Sequence, residues 1–183
     1  FLVAEDFIVV ENGNVRSDLS SFDLSKVNLT TKSIAEVESE LKYIENPSAG
    51  ISIFDELNTS FIENAIVVSV PKNTKWENPV QVLYVQSGEN NISNTRLIIE
   101  SEQSSAAQIT STFVSVNAVN CFTNHITQIS VAENSNISFD KIQLENGFNV
   151  STDYTVQKSN STFKINTITL NGQLVRNNLN IEV

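Results

Sequence analysis

The stretch ITQISVAENSNISFDKIQL, residues 126–144, decides how this chain is read. Ile126–Val131 and Ile137–Leu144 are rich in β-branched and aromatic residues, which favour the pleated, half-buried surface of a strand. Between them lies Glu133-Asn134-Ser135-Asn136, a short polar turn in which Asn tolerates left-handed backbone geometry. The same alternation continues in both directions. Ile66–Val70, Val80–Val85, Leu97–Ile99, Ile109–Val116, Thr162–Leu170 and Leu174–Val183 are further strand-like runs, separated by turns containing Asn, Ser, Gly or Pro. No helical pattern of 10–15 residues, of the kind about a dozen residues long that a βαβ crossover uses, intervenes after Ala65. The chain from there is therefore mainly β, as a sandwich, a barrel or a solenoid. Related turns before successive strands (Glu63-Asn64-Ala65 before Ile66, residues 133–136 before Ile137) tilt the choice towards a solenoid, where Asn side chains stack between coils. Hairpin signals are scarce in this half, with Asn171-Gly172 the clearest exception.

Residues 1–64 differ. Phe7–Val10 followed by Asn12-Gly13 and Val15 reads as a strand and tight turn. Residues 17–31 read as a connector. Ser33-Ile34-Ala35-Glu36 has the form of a capping box, and Ile34, Val37, Leu41 and Ile44 behind it fall on one helical face, ended by Pro47 and Gly50. A second short helix is expected through Phe54–Ile62, with Phe54, Leu57 and Phe61 at helical spacing. The expected organisation is an N-terminal segment, 1–64, and a β-solenoid domain, 65–183.

Composition excludes several functions. Hydrophobic residues make up 40% of the 183, enough for a real core. The net charge is −10, and residues 1–64 hold 12 acidic against 4 basic side chains. Neither half carries the basic patch that nucleic acid requires. No apolar run reaches the roughly 18 residues of a membrane helix, and residues 1–10 lack the basic start of a signal peptide. The single Cys121 excludes an internal disulfide and fits a reducing compartment, the cytoplasm or a plastid stroma. With His125 as the one histidine, two-His metal sites are excluded.

Seven segments, in order, resemble the SufD family. They are Val9–Val15, Phe54–Phe61, Ala65–Lys72, Asn78–Val82, Thr95–Ile99, Phe122–Ile129 and Leu174–Asn180. The last two, Phe122–Ile129 and Leu174–Asn180, are the most specific; the family motif has an apolar residue where His125 stands, and Asn178 stands where the family commonly has Asp. The resemblance implies a right-handed parallel β-helix acting as a non-catalytic scaffold of iron–sulfur cluster assembly. It also implies a SufB-like partner, a SufC-like ATPase and a cluster belonging to the intact complex. Family chains continue past the last motif into a helical segment that docks the ATPase, so the present chain reads as lacking that part. The rival reading is a secreted β-helix that binds or cleaves carbohydrate.

Individual residues point the same way. Cys121 and His125 could ligate iron or carry sulfur, but four residues along a strand separates them by ~13 Å. Cys121 is read as a small buried hydrophobe and His125 as a surface or turn residue. Arg176 is expected to bond backbone carbonyls between coils. Trp76 is either an interface anchor or the cap of a turn or core edge. Asp140 and Asp153 do not form the acidic cluster a polysaccharide lyase needs. The sequons at Asn28, Asn58, Asn91, Asn136, Asn149 and Asn160 matter only in a secreted protein. No catalytic, cofactor or metal residue is assigned, and self-association through the last coil is expected.

Overall fold

The computed structural model describes residues 1–21, 28–33, 52–62 and 64–183. The helix expected behind Ser33, through Ile44, lies outside these. The strands are β1 (Asp6–Glu11), β2 (Asn14–Val15), β3 (Asn28–Ser33), β4 (Asn64–Val70), β5 (Val80–Glu89), β6 (Ile92–Ser101), β7 (Ala106–Val119), β8 (Phe122–Val131), β9 (Asn136–Leu144), β10 (Phe148–Gln157), β11 (Thr162–Thr169) and β12 (Leu174–Glu182). Among the described residues one α-helix, α1 (Ile53–Phe61), precedes β4.

Two six-stranded sheets result, ordered β11-β9-β7-β5-β1-β2 and β12-β10-β8-β6-β4-β3. Successive strands from β4 onward alternate between the sheets, and all pairs are parallel except β1–β2 and β3–β4. The chain thus winds as a β-solenoid of about four turns. The Asn12-Gly13 turn joins β1 to β2 as a hairpin, with Val10 opposite Val15. β1 itself pairs in parallel with β5, so this N-terminal strand is part of the first sheet. Asn171-Gly172 makes no hairpin, because β11 and β12 belong to different sheets. β10 matches none of the strand-like runs in the sequence.

Side chains alternate between the lumen and the outside. Ile8, Val10, Val80, Val82, Tyr84, Ile109, Phe113, Ile137 and Phe139 from one sheet meet Ile66, Val68, Val70, Leu97, Ile99, Ile129 and Val131 from the other in one buried cluster. Trp76 is half-buried against its edge, the core-edge role of the two considered.

The corners repeat as well. Asn73, Ser104, Asn134 and Asn160 all have φ near +60°, between 56° and 60°, and each precedes a strand of the first sheet. Their main chains link coil to coil: Asn73 N–H donates to Gln103 O at 3.1 Å, Ser104 N–H to Glu133 O at 3.0 Å and Asn134 N–H to Ser159 O at 3.3 Å. On the opposite side, Asn90 and Asn120 take the same conformation, and Asn120 Nδ2 donates to Asn90 Oδ1 at 2.7 Å. Left-handed geometry costs an ordinary residue about 1–2 kcal/mol. The Asn enrichment of the sequence is therefore a requirement of the corners.

β11 and β12 end the two sheets on the side opposite β2 and β3, and Ile168, Leu174, Leu179 and Ile181 on them, with Leu170 just after β11, are about half exposed or more. An unpaired strand edge with apolar side chains is a template for further pairing. A polypeptide of these 183 residues should therefore self-associate as its concentration rises in light scattering. Ile181→Lys should suppress this; a wild-type polypeptide that stays monomeric throughout would contradict it.

Candidate functional site

The stacking register sets one coil directly over the next, so the lumen can be read in columns. In one sheet Val82 is followed by Ser111, Lys141 and Thr167. In the facing sheet Leu97 is followed by Thr127, Asp153 and Leu179. The interior is apolar in the first coils and becomes polar towards β9 and β10.

Lys141 and Asp153 span this lumen. Nζ donates to Oδ2 at 2.6 Å, with the two side chains 0% and 3% exposed. A buried pair of this kind adds little net stability, but removing one partner leaves a charge without water or counter-ion. Asp140, the neighbour of Lys141, points the other way and takes hydrogen bonds from Gln108 and Asn166 on the outer face.

His125 is not at the surface as the sequence reading expects; it is fully buried in β8. Its phase places it in the lumen, where Nδ1 meets Thr95 Oγ1 at 2.8 Å and Nε2 meets Thr127 Oγ1 at 3.2 Å. Its ring lies edge-on to Tyr84 and Phe113, with centroids at 4.8 and 4.9 Å. Burial, and then the charges of Lys141 and Arg96, hold its pKa well below the ordinary value. It is neutral, and both nitrogens are occupied. Cys121 is buried as expected, with Sγ 3.5 Å from the carbonyl oxygens of Gly88 and Val119. Cys121 and His125 thus face separate partners. Among the described residues no group of three or more His, Cys, Asp or Glu comes together.

A hydrogen-bonded chain runs along one corner of the lumen, from β5 to the last coil. Gln86 Nε2 donates to Thr123 Oγ1 at 2.9 Å, and Thr123 donates to Glu145 at 2.6 Å. Asn149 Nδ2 donates to the other oxygen of Glu145 at 2.5 Å, while its Oδ1 accepts from Gln143 and Ser151 at 3.1 and 2.7 Å. Gln143 Oε1 then accepts from Thr169 at 2.6 Å and Asn177 at 2.9 Å. Burial pushes the Glu145 pKa up, against the opposing pull of its two donors.

Outside the second sheet, α1 is held by a set of polar contacts together with Phe54 from the Phe54–Leu57–Phe61 stripe, whose ring lies edge-on to Phe122 with centroids 6.2 Å apart. Phe61 is exposed, and the buried residues of the helix are Asp55 and Asn58. Ser52 and Asp55 form a capping box. Asn58 Nδ2 donates to the carbonyls of Thr95 and Asn124 at 3.1 and 2.9 Å, and Arg96 Nη2 donates to Asn58 Oδ1 at 3.0 Å. Asn124 Nδ2 donates to Phe54 O at 2.8 Å, and Tyr154 O–H to Asp55 Oδ2 at 2.9 Å. Burial, followed by this bond, pushes the Tyr154 pKa up to about 12. Arg176 departs from expectation. Its Nε donates to Asn178 Oδ1 at 3.0 Å on the exposed strand β12, not to carbonyls between coils.

A family model described as the SufBD core domain of the SUF system for FeS cluster assembly matches residues 84–183. The chain belongs to the SufBD family. It is also similar to the iron–sulfur cluster assembly SufBD family protein slr0076 of Synechocystis, with 23% identity over 150 residues. That similarity covers 75% of this chain and 33% of the Synechocystis protein, so the chain spans about a third of the relative's length. The matched region takes in the Lys141–Asp153 pair and the whole of the corner chain, from Gln86 onward. It also holds both of the most specific motifs noted in the sequence, which form β8 and β12 on either side of β10.

Lys141, Gln143 and Glu145 were not singled out by sequence reasoning, which considered Asp153 only as a lyase acid and Asn149 only as a sequon. A signal was present: Ile137, Phe139, Lys141 and Gln143 are spaced by two and share one face.

Glu145 gives a pH test. Its folded pKa lies above the ordinary 4.5, so its stabilising effect is full below that pH and is lost as pH rises through the folded pKa. Glu145→Gln should remove this loss. In urea melts the variant should gain on the wild type between acid and neutral pH, by about 1.4 kcal/mol for every tenfold by which folding weakens this acid. Parallel stability curves for the two proteins would contradict the assignment.

Proposed function

We propose that this chain is part of a SufD-like scaffold subunit that assembles with a SufB-like subunit and a SufC-like ATPase. Its contribution is geometric. Movement driven by ATP in the SufC-like partner is relayed through the solenoid to the place where iron and sulfur meet. The cluster is cargo of the assembled complex, not a resident group of this chain. Action in the cytoplasm, or in the plastid stroma of a eukaryote, fits the single thiol.

The observation that carries this reading is how the buried reactive groups are used. Lys141 is held by Asp153, His125 by two hydroxyls and Glu145 by Thr123 and Asn149, and Cys121 is buried. Such groups are spent on holding the solenoid rather than offered to a substrate. The open strand edges and apolar residues of β11 and β12 suit pairing with a related β-solenoid. The rival reading as a secreted carbohydrate module is disfavoured by two of its sequons, since Asn58 and Asn149 are fully buried and bonded.

The test uses the full protein that contains this chain, co-expressed with SufB-like and SufC-like subunits. The expected result is one complex containing all three on size exclusion with light scattering, while the SufD-like subunit alone keeps no cluster after anaerobic reconstitution and desalting. A SufB-like and SufC-like assembly that excludes this protein, or a stoichiometric cluster on this subunit by itself, would overturn the proposal.

A further inference from the structure

The chain contains three Asn-Gly pairs, Asn12-Gly13, Asn146-Gly147 and Asn171-Gly172. An Asn followed by Gly can react with its own main chain. The Gly nitrogen, giving up its proton to base, attacks the Asn Cγ; a new C–N bond closes a five-membered succinimide, and the side-chain nitrogen leaves as ammonia. Water then opens the ring at either carbonyl, giving aspartate or isoaspartate, with no change of oxidation state. Glycine favours the step because it has no Cβ to shield its nitrogen and turns freely. Whether the step occurs in the folded protein depends on how firmly the amide and the following main chain are held.

The three sites differ in this respect. The Asn12 amide is pinned from both sides, accepting from Ser87 N–H at 2.9 Å and donating to Ser87 Oγ at 3.0 Å. At the second site the main chain is pinned. Asn146 N–H donates to Ser115 Oγ at 2.9 Å, and Gly147 O accepts from Gln173 N–H at 2.8 Å. Close packing does not separate this site from the third, since an added Cβ would crowd Cys121 O at Gly147 and Val175 Cγ2 at Gly172. Asn171 is exposed, and neither its side chain nor the Gly172 N–H has a hydrogen-bond partner among the described residues. The corner is anchored only beyond the pair, by Leu170 N–H to Gln143 O at 2.9 Å and by Gln173 N–H.

We propose that Asn171 is a site of spontaneous deamidation in the folded protein. The product places a new carboxylate at the β11–β12 corner, between exposed Leu170 and Leu174. Its isoaspartyl form is a substrate for a protein-repair O-methyltransferase that recognises that linkage.

The experiment ages the native protein in mildly alkaline buffer and, in parallel, in denaturant. Peptide mapping by mass spectrometry follows each Asn, and methyl transfer by an isoaspartyl methyltransferase reports the rearranged product. In the native protein Asn171 should convert about tenfold faster than Asn12 or Asn146, and in denaturant the three rates should converge. Asn171→Gln should remove most of the methyl-accepting signal from native protein. Conversion first at Asn12 or Asn146, the same ratio of rates in both states, or a signal undiminished by Asn171→Gln would overturn the proposal.

Discussion

In-register parallel stacking of one coil on the next is the constraint from which the other features of this molecule follow. Each position in a coil lies over one position in the coil before it, so a residue's environment is set by its column. The left-handed corners at Asn73, Ser104, Asn134 and Asn160 recur because each coil must turn at the same height. One extra residue is absorbed where the register shifts beside Ser87 and Gly88, leaving Asn117 in a positive-φ bulge. Elsewhere the columns run unbroken along the paired stretches.

The same constraint explains how the solenoid tolerates a polar interior. A buried donor or acceptor is costly only when left unpaired. Stacked coils place polar side chains above, below and across from one another at hydrogen-bonding range. Gln86, Thr123, Glu145, Asn149 and Gln143 form such a series, and Lys141 reaches Asp153 across the gap between sheets. α1 is docked by the same logic on the outer surface, where Asn58 bonds the main chain of two successive coils.

Much of the fold was legible in the sequence. β4 through β9, together with β11 and β12, coincide with runs of β-branched residues, and the Asn-rich turns point to a solenoid. β10 was not legible, for a physical reason. Its lumen-facing residues are Asn149, Ser151, Asp153 and Thr155, so the alternation that marks a half-buried strand is lost. The interior site was hidden for the same cause. His125 reads as a surface residue when polarity is taken to mean exposure, and its buried position emerges only when Thr95 and Thr127 are known to flank it. The α1 stripe was right only in part, since Phe54 packs on Phe122 but Phe61 is exposed and the buried residues of the helix are Asp55 and Asn58.

The Lys141–Asp153 pair tests the stacking most directly, because the two residues meet only if β9 and β10 hold the register described. A double-mutant cycle of urea-unfolding free energies, with Lys141→Met, Asp153→Leu and both together, makes the measurement. Each single substitution should cost about 3–5 kcal/mol by stranding a buried charge, while the double variant should lose far less than the sum. Single substitutions that are nearly neutral and additive would contradict the account, since the two charges would then not share the lumen.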